Sequence, residues 1–305
     1  MPRRLRYIPP GSLVEVTCRT LQGRLLLRPS PLLTELTLGV LARAARLYPV
    51  DLHGFVFLSN HFHLLLTVAC AQRLAAFMNY LNSNLAREAG RLIRWRERFW
   101  GRRYQAILVA AEEEAQIDRL RYLLAHGAKE GLVASPLDWP GAHCARFLVD
   151  GTPVVGRWHD RTLECRARRS SLTFDLHAFV EDEVLHLSPI PCWSRSDPLE
   201  YRSRIRSLIR HIESSARPEA GGRSASPLGR KALVRQDPRF EPVRLKRSPA
   251  PLVHATRAAA RSSLRRAYAA FLEAYRRAAR SLRDGRLDAA FPPWSFPPAL
   301  PFRTG

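Results

Sequence analysis

Residues 50–69 read VDLHGFVFLSNHFHLLLTVA, and this stretch decides the fold. It holds two apolar, β-rich runs, 50–58 and 61–69, separated only by Ser59-Asn60. A two-residue connection between such runs reads as a β-hairpin. On the second strand, His61 and His63 stand at i and i+2, so both imidazoles point to one face. Phe62, Leu64, Leu66 and Val68 then point to the other, toward a core.

Working outward, residues 12–20 alternate Val14, Val16 and Cys18 with Glu15, Thr17 and Arg19, a strand period. Ser30-Pro31 supplies an N-cap and a first helical position, and Leu33, Leu36, Val40, Ala44 and Leu47 continue at helical spacing up to Pro49. Residues 72–95 return to helix period through Leu74, Phe77, Met78, Leu81 and Leu85. Residues 104–110 read as a strand and 112–126 as a helix. The order β-α-β-β-α-β with a further helix is the split, ferredoxin-like arrangement: an α+β fold with an antiparallel sheet and helices on one face. This unit is expected to cover residues 1–150, ending after LDWPGAH.

Residues 151–305 form a less orderly, basic accessory region. Helices are expected near 199–215 and 255–284, a linker near 216–230, extended chain over 232–252 and a Pro-rich tail at 289–302. In the longest helix, Leu264, Tyr268, Phe271, Tyr275, Ala279 and Leu282 form an apolar stripe beside many arginines.

Charge narrows the function classes. The 305 residues hold 49 Lys+Arg against 27 Asp+Glu, a net +22. The excess is almost all arginine, whose planar fork suits phosphate. A polyanion, nucleic acid before anionic lipid, is the natural partner. No stretch has the roughly 18 apolar residues of a membrane span, and no long apolar run follows the basic start, so neither membrane insertion nor a secretory leader is expected. Five scattered cysteines, none in CxxC spacing, fit a reducing cytoplasm rather than a disulfide frame.

Two constellations carry chemistry. His61 and His63 supply half of a divalent-metal site, or else are strand histidines satisfied by hydrogen bonds. Tyr122 and His126 share a helix face at i and i+4. Tyr122 lies about 200° around the helix from Leu120 and Leu124, off the apolar stripe. A metal on His61, His63 and a third ligand, with His126 the candidate, can polarise a phosphate that the Tyr122 hydroxyl attacks. Arg94, Arg96, Arg98, Arg102 and Arg103, interleaved with Trp95, offer a backbone-and-stacking platform for nucleic acid, or a solvated loop over a tryptophan. Tyr104 and Tyr80 are lesser nucleophile candidates. Asn60 and His53 are candidates to support the histidines. Glu112, Glu113 and Glu114 read as an acidic first turn.

Four segments resemble the single-tyrosine HUH transposases, the insertion-sequence-200 type and especially the REP-associated tyrosine transposases. They are LHGFVFLSNHFHLLLTV at 52–68, FMNYLN at 77–82, FWGRRY at 99–104, and Arg121-Tyr122 followed by Gly131-Leu132-Val133 and Asp138-Trp139-Pro140. The resemblance spans about 12–145. It implies a ferredoxin-like fold, Mg²⁺ or Mn²⁺ on two histidines, and a homodimer acting on single-stranded DNA with hairpins. It also implies cleavage by tyrosine to a 5′-phosphotyrosine and a free 3′-hydroxyl. Tyr122 matches the nucleophile, and His126 falls where relatives carry Asn or Gln. Ser59 replaces a proline in the turn, and Tyr104 matches a structural aromatic.

Two other classes stay open on sequence. One is a domesticated protein that binds hairpin DNA or RNA without turnover. The other is a histidine-triad-like nucleotide hydrolase, whose motif needs a further histidine where this chain has Leu65.

Overall fold

The computed structural model describes residues 4–170, 175–216, 226–242 and 251–299. In chain order its elements are β1 (Ser12–Arg19), α1 (Pro31–Leu47), β2 (Asp51–Phe57), β3 (His61–Val68), α2 (Ala71–Leu92), β4 (Gln105–Val109) and α3 (Glu113–Leu124). There follow α4 (Ala145–Asp150), β5 (Val154–His159), α5 (Arg161–Ser170), β6 (Val180–Leu185), α6 (Pro198–Ala216), α7 (Arg230–Arg235), β7 (Val253–His254) and α8 (Ala258–Arg283).

The main sheet has the order β2-β3-β1-β4-β7. Among its first four strands each neighbouring pair is antiparallel, the ferredoxin-like order, and β7 adds to β4 in parallel. The Ser59-Asn60 turn closes as expected, with Leu58 N–H donating to His61 O at 2.8 Å. Ser30 caps α1 by accepting from Leu33 N–H.

Val14, Val16, Phe62, Leu64 and Leu66 are buried, as is the α2 stripe of Leu74, Phe77, Met78, Leu81 and Leu85. Trp100, whose indole N–H donates to Asn82 O on α2, meets Phe62 edge-on. That fixes α2 on the Phe62 face, with α1 packed beside it. The opposite face is not open, contrary to the expectation of helices on one side. There α3 packs on β2 and β3; a Cβ on Gly54 would meet Leu120 and Leu123 of α3. This double cover explains why HFHLLLTV is nearly continuous in apolar residues rather than alternating.

The chain beyond 150 packs around this unit. An unanticipated antiparallel ribbon, β5–β6, lies on α1. The approach is so close that a Cβ on Gly39 would fall 2.1 Å from Arg157 O. Buried Glu183 on β6 accepts from Arg43 and Arg46 of α1. Helix α6 buries Ile205, Ile209 and Ile212 against α3 and α4. Helix α7 occupies part of the stretch read as extended, because Gly229 leads into a short run of good helix formers there. Residues 217–225 of the expected linker, 243–250, and 300–302 of the expected tail lie outside the described residues.

Candidate active site

The β1–β3 register sets His61 opposite Arg19 and His63 opposite Thr17. Glu15, two residues along β1 from Thr17, is therefore the diagonal neighbour of His63 on the same face. From the other side, α3 lowers Tyr122 onto the pair. The helix stops at Leu124, short of the expected 126, and His126 sits in the turn beyond. It still faces Tyr122, because its Nδ1–H donates to the Tyr122 carbonyl at 2.8 Å, a group that the helix end would leave unpaired. Gly127, at φ +92°, lets the chain turn there.

The three imidazoles converge. Ring centroids lie 5.2 Å apart for His61 and His63, 4.2 Å for His63 and His126, and 5.9 Å for His61 and His126. One ligand nitrogen from each falls within 4.8 Å of the others. Every Nδ1 is committed elsewhere. His61 Nδ1–H donates to Asn60 Oδ1 at 2.6 Å, while Asn60 Nδ2–H donates to Gly23 O and so fixes the amide. His63 Nδ1–H donates to Glu15 Oε1 at 2.7 Å. With His126 Nδ1 on Tyr122 O, each Nε2 carries its ring's lone pair, and that of His126 accepts from Lys129 Nζ, an ammonium that a bound metal would displace. Metal-binding histidines show this tautomer, set by an acceptor behind each ring. Burial and then the neighbouring positive charges hold His61 and His126 well below the usual histidine range, so both are neutral. The donor set fits a divalent metal.

Glu15 is the residue the sequence reading passed over. It is 1% exposed, yet its second oxygen accepts from Arg119 Nη1 at 2.8 Å. Burial pushes its carboxyl up, but His63 and Arg119 outweigh that and hold it below the ordinary carboxylate range. Arg119 in turn lies 4.4 Å over the Tyr122 ring. Lys129 also covers that ring, with Nζ 3.4 Å from its centroid and 3.3 Å from His126 Nε2. A chain of contacts thus runs from His63 through Glu15 and Arg119 to Tyr122.

The Tyr122 ring stands 5.9 Å from His63 and 4.6 Å from His126. Burial, with Glu15 and Glu130, raises its pKa against the opposing Arg119, so the phenol rests protonated. A cleft of about 330 Å³ opens beside it, with Tyr122, Arg119, Arg121 and Lys129 on one side and His211 and Ser215 of α6 on the other.

Neither competing tyrosine is in contact with the histidines. Tyr104 is covered by Arg6 at 3.7 Å and burial pushes it up to about 12; Tyr80 packs on Tyr48 and Trp158. His53 does not support the pair. It bulges out of β2 and bonds Ser188 O and Thr67 Oγ1. Glu112 ties α3 to the start of α8, accepting from the Thr256 and Arg257 backbone N–H groups.

Arg94, Arg96, Arg98, Arg102 and Arg103 are exposed in the loop between α2 and β4, around a half-buried Trp95. On α8, Arg261, Arg265, Arg266, Arg276, Arg277, Arg280 and Arg283 are all exposed. At about 100° and 1.5 Å per residue they fill one arc roughly 160° wide and about 33 Å long. The apolar side of α8 packs on Tyr7.

Residues 32–122 match the family model described as Transposase IS200 like. No curated protein matches the chain. Two solved structures are similar in part. The REP-associated tyrosine transposase bound to a REP hairpin is 16% identical with a TM-score of 0.42, over 49% of this chain and 86% of that one. A candidate transposase from Deinococcus radiodurans R1 is 17% identical with a TM-score of 0.29, over 39% and 95%. No described helix is long and apolar enough to cross a membrane. The family match takes in His61, His63 and Tyr122 and stops short of His126: residues 32–122 are similar to the IS200-like transposases.

Proposed function

We propose that the protein cleaves and rejoins single-stranded DNA, using Tyr122 as nucleophile. The observation that carries this reading is the convergence of one tyrosine, on a helix that crosses the sheet, with three histidines that each offer a ligand nitrogen within 4.8 Å of the others. His61, His63 and His126 would hold a divalent metal, Mg²⁺ or Mn²⁺ on the family resemblance, and the chemistry supplied there is polarisation of the scissile phosphate. The remaining work belongs to the chain's own groups. Tyr122 Oη forms the bond to phosphorus as the bond to the 3′ oxygen breaks. The phenol's proton is lost, the 3′ oxygen gains one, and a 5′-phosphotyrosine is left. The phosphodiester energy is kept for rejoining because no water enters.

Arg119 and Lys129, on the Tyr122 ring, offset the negative charge gathered at the pentacoordinate phosphorus. The cleft between α3 and α6 is wide enough for a nucleotide beside the nucleophile. The loop arginines Arg94, Arg96, Arg98, Arg102 and Arg103 with Trp95, and the arc on α8, supply backbone and stacking contacts to DNA with hairpins. Residues 1–150 form the catalytic unit and the remainder the accessory DNA-binding region, acting as a homodimer in the cytoplasm.

The test is a denaturant-stable adduct between the protein and labelled single-stranded DNA carrying the palindromes that flank its own gene, with Mn²⁺ present. Wild type gives the adduct and Tyr122→Phe does not. An adduct that persists in Tyr122→Phe refutes the assignment of the nucleophile. Tight binding with no adduct in either protein favours a non-catalytic hairpin-binding role.

A further inference from the structure

We infer that His211 of α6 is a catalytic residue: its imidazole gives a proton to the 3′ oxygen that leaves when Tyr122 attacks, and takes one back when the strand is rejoined. The inference rests on the Tyr122 reading above and assigns the proton donor that this reaction needs.

In an in-line displacement the leaving oxygen lies on the far side of phosphorus from the nucleophile. Across the cleft from Tyr122 the wall is α6, which presents His211, Ile212 and Ser215. The cleft volume of about 330 Å³ is that of a sphere roughly 9 Å across. A reactive distance of about 3–3.5 Å, one P–O bond and a hydrogen bond of about 2.6–3.2 Å together span roughly 8 Å. A phosphodiester in the cleft can therefore meet both walls at once. The α6 wall is fixed in place. Ile205, Ile209 and Ile212 are buried against α3 and α4, and Glu213 accepts from Ser135 Oγ at 2.5 Å. His211 thus precedes two anchored residues while its own side chain is exposed.

Elimination leaves His211 as the donor. Ile212 has no proton to give, and the Ser215 hydroxyl already donates to the His211 carbonyl at 2.8 Å. The other polar groups stand on the nucleophile's side of the cleft. A guanidinium does not release its proton, which excludes Arg119 and Arg121. Lys129 lies over the Tyr122 ring, and Asp118 is held by Arg121 at 2.6 Å. These cations suit the charge of a phosphodiester, whereas imidazole is the side chain most often used to pass a proton. In cleavage the phenol proton goes to bulk water and Tyr122 Oη bonds phosphorus. The bond from phosphorus to the 3′ oxygen breaks with its electron pair on that oxygen. The His211 imidazolium protonates the oxygen and becomes neutral. In rejoining, neutral His211 removes the proton from the 3′-hydroxyl as it attacks, and Tyr122 leaves as phenolate to be reprotonated by water.

The test times adduct formation by the full chain, with Mn²⁺, on two single-stranded DNAs of one sequence carrying the gene-flanking palindromes. One is natural DNA, on which the scissile position is mapped first. The other has sulfur in place of the bridging 3′ oxygen at that position. A thiol is far more acidic than an alcohol, so the sulfur leaves as thiolate without a proton. His211→Gln is expected to slow the reaction by about 10²- to 10⁴-fold on natural DNA and by less than about threefold on the sulfur DNA. Because His211 is exposed, the variant is expected to melt with the wild type, and His211→Asn repeats the comparison if it does not. Equal losses on both DNAs assign His211 to binding or structure and overturn the inference, as does an unchanged rate on natural DNA. Both outcomes leave the Tyr122 reading in place. A wild type that forms no adduct on natural DNA refutes that reading, and the inference with it.

Discussion

Replacing Glu15 by glutamine removes one negative charge from a fully buried position and leaves the side chain's shape intact. The carboxylate accepts from His63 Nδ1–H at 2.7 Å and from Arg119 at 2.8 Å, and it is 1% exposed. The amide oxygen of glutamine can still accept from His63. Its NH₂ group then faces the Arg119 guanidinium, donor against donor. The loss is one charge-assisted hydrogen bond, about 1.5–3 kcal/mol, plus the cost of an arginine stranded at low exposure. Arg119's side chain is 15% exposed and reaches some water, so the total is set at about 3 kcal/mol rather than the upper range for a severed buried pair. In a chain of this size that lowers Tm by about 6–10 °C. The effect on metal binding is separate. Without a carboxylate behind it, His63 is a poorer base and less firmly oriented, and affinity for Mn²⁺ falls by about 10- to 100-fold. Differential scanning calorimetry measures the first effect and isothermal titration with Mn²⁺ the second. Because Arg119 also covers the Tyr122 ring, the rate of adduct formation at saturating Mn²⁺ falls as well. A variant that melts with the wild type and binds Mn²⁺ equally well refutes the whole chain of contacts from His63 to Tyr122.

Two further outcomes follow from the accessory region. Glu183 is 4% exposed and its pKa is lowered by Arg46 and Arg43 against the opposing effect of burial. A carboxyl depressed in the folded state contributes stability above its unfolded value, near 4.3, and loses it as pH falls through the folded value. Glu183→Gln is therefore expected to cost about 1–2 kcal/mol at pH 7, discounted because Arg46 is half exposed. The gap from wild type should close below about pH 4 in urea melts across pH; a gap that widens toward acid contradicts it. Changing Arg265, Arg276, Arg280 and Arg283 of α8 together to Gln should flatten the salt dependence of binding to a DNA hairpin. The slope of log K against log salt is reduced by about 0.9 for each phosphate that the helix no longer neutralises. An unchanged slope in fluorescence anisotropy means that the arc on α8 faces only solvent.

The parts of the site legible in the sequence are those whose meaning is local. Two histidines at i and i+2 share a strand face whatever surrounds the strand, and Tyr122 shows itself by standing off its helix's apolar stripe. Glu15 was illegible for the opposite reason. A glutamate between Val14 and Val16 reads as the wet side of a half-buried strand, and by period alone it is. It is buried because α3, about 100 residues later, is laid over that face and brings Arg119 to neutralise it. The same cover hid the role of Lys129, which gains significance only when the turn after α3 folds back beside the histidines. The unbroken apolar run from Leu64 to Leu66 was the one available warning, since a strand with an open polar face has no use for Leu65. Two-sided burial, taken seriously at that point, turns every polar residue on the histidine face into one that must have a partner. Glu15, as the diagonal neighbour of His63, is then the first residue to suspect.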